Sequence, residues 1–136
     1  RVDMEGFTSF YEACRHPVVY NGDILTIADI HRITDRFPNL AGVMIGRGLL
    51  TNPALGWEYK EGRKLSPEEW HEKLKALHTA VFLHYEEQIQ GGEAQLVTKM
   101  KTFWEYLAPQ IDRKSWKAIH KSTTLTKYNI AVRSAF

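Results

Sequence analysis

Two short glycine turns, Asn21-Gly22-Asp23 and Gly46-Arg47-Gly48, hold the residue types best suited to chemistry in this 136-residue chain. Glycine lets a backbone approach a ligand closely and expose its N–H groups. A helix that starts just after such a turn adds the positive end of its dipole, and the combination cradles an anion. Arg47 can add a charge-assisted bond to a phosphate. Taken singly, each turn has an ordinary reading, since Asn-Gly is a common turn dipeptide and Gly-Arg-Gly can be a plain loop. Together, one strand-helix-strand step apart, they favour phosphate binding. A carboxylate beside a phosphate would repel it, so Asp23 is expected to offer only its backbone to the anion, with its side chain free to cap the helix that follows.

The other reactive side chains form no comparable pattern. Cys14 is the single cysteine, so no internal disulfide is possible and a reducing, cytoplasmic setting is expected. It falls on a helix and is expected to be a small buried hydrophobe. His71, His78 and His84 recur at steps of seven and six. That is not the i, i+4 spacing that places two ligands on one helix face, so no metal is expected. His16 and His31 read as surface residues. The aromatic residues at helical spacing read mostly as core.

Charge is unevenly placed. The whole chain carries +2, but from Ala94 to Phe136 eight Lys/Arg stand against Glu105 and Asp112 alone. Such an excess suggests a polyanionic partner, although a solvated set of helix faces would read the same way. Lys99, Lys101, Arg113, Lys114, Lys117 and Lys121 are the candidates for contacting phosphates. No apolar run approaches the roughly 20 residues of a membrane span, and no leader pattern indicates secretion. Residue 1 is Arg, and the chain reads as cut from a longer one.

The elements that must position these residues divide into two kinds. In the first half, a helix over Gly6 to Cys14 precedes a strand at Pro17-Val18-Val19-Tyr20 that stops at Asn21-Gly22. Ile27, Ile30, Ile33 and Phe37 then mark a helix capped by Thr26 and stopped by Pro38. Gly42-Val43-Met44-Ile45 is a second strand, with a short helix opened by Asn52-Pro53. Strand, helix, strand at this spacing is a right-handed parallel unit. Two such strands need neighbours and cover on both faces, so further strands are expected upstream. Ligands in α/β folds gather at the carboxyl ends of parallel strands, where both glycine turns lie, and β/α barrels commonly build a phosphate site after strands 7 and 8.

Residues 57 to 65 read as a linker, and the remainder as a small antiparallel helical bundle. Ser66-Pro67-Glu68-Glu69 opens its first helix, with Trp70, Leu74, Leu77, Val81 and Tyr85 along one face and Gly91-Gly92 at its end. Leu96, Val97, Met100, Phe103, Trp104 and Leu107 line a second helix that stops at Pro109. Asp112 caps a third, with Trp116 and Ile119 inward. A fourth runs from about Thr124, with Leu125, Tyr128, Val132 and Phe136 inward.

The stretch Pro17-Val-Val-Tyr-Asn-Gly-Asp-Ile24, followed by Gly42-Val-Met-Ile-Gly-Arg-Gly-Leu-Leu-Thr-Asn-Pro53, resembles the last two barrel strands of the tRNA-dihydrouridine synthases. Lys99-Met-Lys-Thr-Phe-Trp-Glu-Tyr-Leu107 is similar to a helix of that family's C-terminal tRNA-binding domain. The resemblance implies an α/β chain: the C-terminal fragment of a TIM (β/α)8 barrel over residues 1–57, then an all-α helical bundle domain that binds tRNA over residues 58–136. It implies that Asn21, Gly22, Asp23, Gly46 and Arg47 contact the phosphate of FMN, and that the lysines and arginines named above follow tRNA phosphates. It implies reduction of uridine in tRNA with NAD(P)H as reductant. The family's proton-donating cysteine and remaining flavin contacts would come from earlier strands. No catalytic residue is therefore expected in this chain, Cys14 is not a candidate, and the isolated chain should be inactive. Other FMN or phosphate-binding barrels share a glycine turn after strand 8, so a small-molecule oxidoreductase is the alternative, as is an RNA-binding helical module carrying a remnant barrel edge.

Overall fold

Asp3 starts the first helix by accepting the Gly6 N–H at 2.9 Å, and α1 runs over Met4–Ala13. Its Phe7 and Tyr11 meet Phe37 edge-on, ring centroids 5.0 Å apart in each case, and Phe7 meets Tyr20 in the same way. This aromatic packing lays α1 on the segment that follows. β1 is Val19–Asn21, α2 is Ile27–Arg36 and β2 is Gly42–Met44. The strands pair in parallel, with Val19 beside Gly42, Tyr20 beside Val43 and Asn21 beside Met44. The computed structural model describes residues 1–136 and forms two compact units, Arg1–Gly62 and Arg63–Phe136.

In the first unit, Tyr20, Ile24, Ile30, Ile33, Phe37 and Leu55 make one buried cluster. Side chains alternate across a strand, so Tyr20 enters this core while Val19 and Asn21 face away. Val19 and Met44 are 54% and 57% exposed. One face of the two-stranded sheet is thus packed and the other is open.

Several boundaries differ from the sequence reading. The ladder begins at Val19 rather than Pro17, because proline has no N–H to contribute. β2 stops one residue before Ile45. A short helix does follow Asn52-Pro53, but another, not expected from the sequence, precedes it. α3 starts within the glycine turn and covers Arg47–Thr51, and α4 follows over Leu55–Glu61. Asn52 sits between them, its side-chain oxygen accepting the Ala54 N–H at 3.1 Å. Most of the expected linker is therefore helix. Glu58 is buried there and accepts a hydrogen bond from the Asn52 amide at 3.1 Å, while Gly62 ends α4 in the left-handed conformation at φ 67°, as glycine commonly does. Cys14 is only half-buried, in the cap position after α1.

The second unit is helical throughout. α5 covers Pro67–Gln88, opened by a reciprocal pair in which Ser66 accepts the Glu69 N–H and Glu69 accepts the Ser66 N–H. Arg63 braces this start with two bonds to the Glu69 carboxylate at 2.9 and 3.0 Å. α6 covers Gly92–Leu107 and passes through a 3-10 turn at Ala108–Gln110. α7 is Arg113–Lys121, capped by Asp112, and α8 is Leu125–Ala135, capped by Thr124. Leu74, Leu96, Val97, Met100, Trp104, Leu107, Ile119, Tyr128 and Val132 belong to one continuous core. Leu77, expected inside, is 37% exposed, and His78 takes the buried position next to it. No helix is long and apolar enough to cross a membrane.

Candidate phosphate site and basic helical surface

Pairing of Asn21 with Met44 brings the carboxyl ends of β1 and β2 side by side, so the two glycine turns that leave them open at the same end of the sheet. Asn21, Asp23, Gly46 and Arg47 are exposed there and Gly22 is half-buried. The glycines divide by what surrounds them. A Cβ at Gly46 would meet nothing within 4 Å. At Gly48, which is buried, it would collide with the backbone carbonyl of Ile24, and at Gly22 with the Tyr20 hydroxyl. Gly48 therefore serves close packing of α3 on the β1–α2 loop, whereas Gly46 leaves space for an approaching group. No side chain caps α3, as none caps α4 or α6. Of the first-turn N–H groups of α3, that of Leu49 reaches the Gly46 carbonyl at 3.0 Å, which leaves those of Arg47 and Gly48 without an intrahelical acceptor.

Arg47 donates from Nη2 to Asp23 Oδ1 at 2.9 Å, with 74% of the arginine side chain exposed. Asp23 is thus not the cap of α2. Thr26 performs that task, its hydroxyl accepting the Asp29 N–H at 3.1 Å, and Asp29 returns the bond to the Thr26 N–H at 3.0 Å. The Arg32 guanidinium, 2.9 Å away, and these N–H bonds hold the Asp29 carboxyl down at about 2. The one cation at the glycine turns is therefore steered by the acid that the sequence placed beside it.

A separate cleft of about 450 Å³ lies before β1, bordered by Tyr11, Cys14, His16 and Asn39. The Cys14 thiol faces the His16 carbonyl at 3.8 Å. No cluster of three His, Cys, Asp or Glu side chains is arranged to hold a metal ion.

The six basic candidates sort by helix geometry. Lys99 and Lys101 lie on α6, two residues apart and hence about 200° around its axis, so they do not share a face. Arg113, Lys114, Lys117 and Lys121 all lie on α7 and fall within a sector of about 100°. Burial of Ser115 and Ile119 fixes the rotation of α7 and turns that sector to solvent. None of the six is in an ion pair of the kind that joins Arg32 to Asp29, Arg47 to Asp23 and Arg63 to Glu69. Trp116, expected inward, is half-buried at the edge of the core, and its ring lies 5.3 Å from that of exposed His120. Sequence patterning passed over this pair because its i, i+4 step looks like ordinary core spacing.

His78, read as one of three unpatterned histidines, is part of a buried network. Its Nε2 lies 2.6 Å from the Tyr128 hydroxyl, which also accepts the Trp104 indole N–H at 3.0 Å. The residues are 50 and 24 positions apart, so no local pattern could announce them.

Comparison with known proteins places a family and a relative beside this chain. The family model described as dihydrouridine synthase matches residues 7–135. The tRNA-dihydrouridine(16) synthase of Pseudomonas putida is 36% identical over 64 residues, which are 45% of this chain and 20% of that protein. The matched part thus spans a fifth of the length of this curated relative.

Proposed function

Because the chain belongs to the dihydrouridine synthase family, we propose that it supplies the FMN-phosphate end and the RNA-binding helices of an FMN-dependent oxidoreductase that reduces uridine in tRNA to 5,6-dihydrouridine, with NAD(P)H as reductant. The observation that carries this reading is the register of the two strands, which sets both glycine turns at one end of the sheet. In this proposal residues 1–57 are the last part of a (β/α)8 barrel, residues 58–136 are the tRNA-binding domain, and the protein works in the cytoplasm. The open sheet face, with Val19 and Met44 exposed, supports a sheet that continues into further strands.

The residues present fit a phosphate. Gly46 leaves room for it, the uncapped start of α3 offers N–H donors, and Arg47 is exposed beside them. Asn21, Gly22 and Asp23 would meet it from the β1 side, Asp23 through its backbone. FMN, when bound, supplies the hydride for uridine and is replenished by NAD(P)H. The part of this chain is to anchor and orient: Arg47 exchanges the Asp23 carboxylate for a phosphate oxygen, a charge-assisted bond of the stronger kind. The proton donor and the contacts to the reacting ring belong, in this reading, to chain outside residues 1–136, and the 136-residue chain alone does not turn over. On the helical side, Lys99, Lys101, Arg113, Lys114, Lys117 and Lys121 would follow tRNA phosphates.

The complete protein is expected to purify yellow and to release FMN about tenfold more readily after Arg47→Ala, the loss of one hydrogen bond to a charged group. A colourless complete protein that takes up no FMN on titration would overturn the flavin assignment.

A further inference from the structure

The exposed side of α7 combines aromatic and cationic side chains. Trp116 leans on the core with part of its ring outside. His120, one turn on, is exposed and lies against it, the rings 5.3 Å apart and tilted by 42°. Continuing around the helix, Arg113, Lys117 and Lys121 follow in sequence beside His120. No carboxylate pairs with any of them. The acid nearest in sequence, Asp112, spends its side chain on the Ser115 N–H at 2.9 Å. An aromatic ledge thus borders a row of unneutralised cations.

Resting on the RNA-binding reading above, we propose that the Trp116–His120 ledge receives an unpaired base of the RNA substrate, while Arg113, Lys117 and Lys121 hold the phosphates of the same strand. Every base has a π-face, so a ring ledge stacks bases without reading their edges, and adjacent cations give such a platform its grip on the backbone. Bases inside an A-form duplex are already stacked and present no free face, so the ledge selects a loop or bulge over a helix. The cations act on either form, because both carry the same phosphates. The two halves of the surface therefore have separable consequences. The ring pair sets the preference for unpaired RNA, and the cations set overall affinity and its dependence on salt.

The test uses the complete protein and two probes at low salt, a tRNA and a blunt RNA duplex of similar length. His120 is exposed, so its substitution spares the core. His120→Ala is expected to weaken tRNA binding about 5- to 10-fold, the lower part of what removing one aromatic–base stack costs, with duplex binding changed less than about twofold. His120→Phe, which keeps a ring, restores the preference for tRNA. Lys117→Ala weakens both probes alike and lowers the salt slope by about one. If His120→Ala leaves the tRNA-to-duplex ratio unchanged while Lys117→Ala still weakens both, the ledge is overturned and the RNA reading survives. If the unsubstituted complete protein binds neither probe, the RNA reading falls and the ledge with it.

Discussion

Arg47 and Asp23 show how one residue pair can complicate a binding site. An exposed ion pair of this kind is worth about 0.2–1 kcal/mol, which is small beside a bond from arginine to phosphate but must be given up first. Asp23→Asn should therefore strengthen FMN binding by the complete protein up to about fivefold, as read by quenching of flavin fluorescence on titration. Weaker binding would mean that the carboxylate positions the guanidinium instead of competing for it. His78 allows a sharper test. The Tyr128 hydroxyl accepts from Trp104, and burial pushes its pKa up so that it keeps its proton. That proton goes to His78 Nε2, which must be bare to accept it. Burial accordingly lowers the His78 pKa from 6.5 to about 4. The unfolded chain binds a proton here below 6.5 and the folded chain only below 4, so this contribution to stability is complete above 6.5 and is lost as pH falls from 6.5 towards 4. Denaturant unfolding of the chain should show about 2 kcal/mol less stability at pH 5 than at pH 7 from this group. His78→Gln should abolish that difference, and an unchanged pH slope in the variant would refute the assignment.

At the scale of elements, legibility followed whether the information was local. α2, α6 and α8 were readable because each buries one stripe at helical spacing, and the caps at Thr26, Ser66, Asp112 and Thr124 sit within three residues of the donors they satisfy. Of α4 only the start after Asn52-Pro53 was readable, since its run of Trp, Glu, Tyr, Lys and Glu has a buried glutamate that bonds Asn52 outside the helix. β1 was placed up to two residues early, starting at Pro17 and stopping short of Asn21, and β2 was carried one residue too far because apolar character continues into Ile45. For the candidate site, the two turns and their order could be read, but not the division of labour among their glycines, which depends on what lies across space. That division makes a prediction. Gly48→Ala drives a methyl group into the Ile24 carbonyl, and backbone cannot swing aside as a side chain can. The chain should lose about 1–3 kcal/mol of stability, measured by denaturant titration. A neutral outcome would show that α3 can shift away from the β1–α2 loop without cost.

For the molecule as a whole, the two units differ in how completely they bury what they must. The second gathers Trp104, Tyr128, Met100 and Ile119 into one core with helices on its sides. The first has a sheet of two parallel strands and nothing else in it, yet parallel sheets occur almost only with both faces covered. A segment of about 60 residues buries barely enough surface to fold alone even when its core is closed. With Val19 and Met44 exposed on the sheet and unpaired strand edges offering a template for association, the first unit should need more chain to complete it. Residues 63–136 made alone should be monomeric and helical, with a cooperative thermal transition. Residues 1–62 made alone should melt without a sharp transition or should associate, as seen by circular dichroism and light scattering. A monodisperse, cooperatively folding 1–62 would show that the two strands suffice, and the continuation of this sheet into a barrel would lose its physical support even though the family match stands.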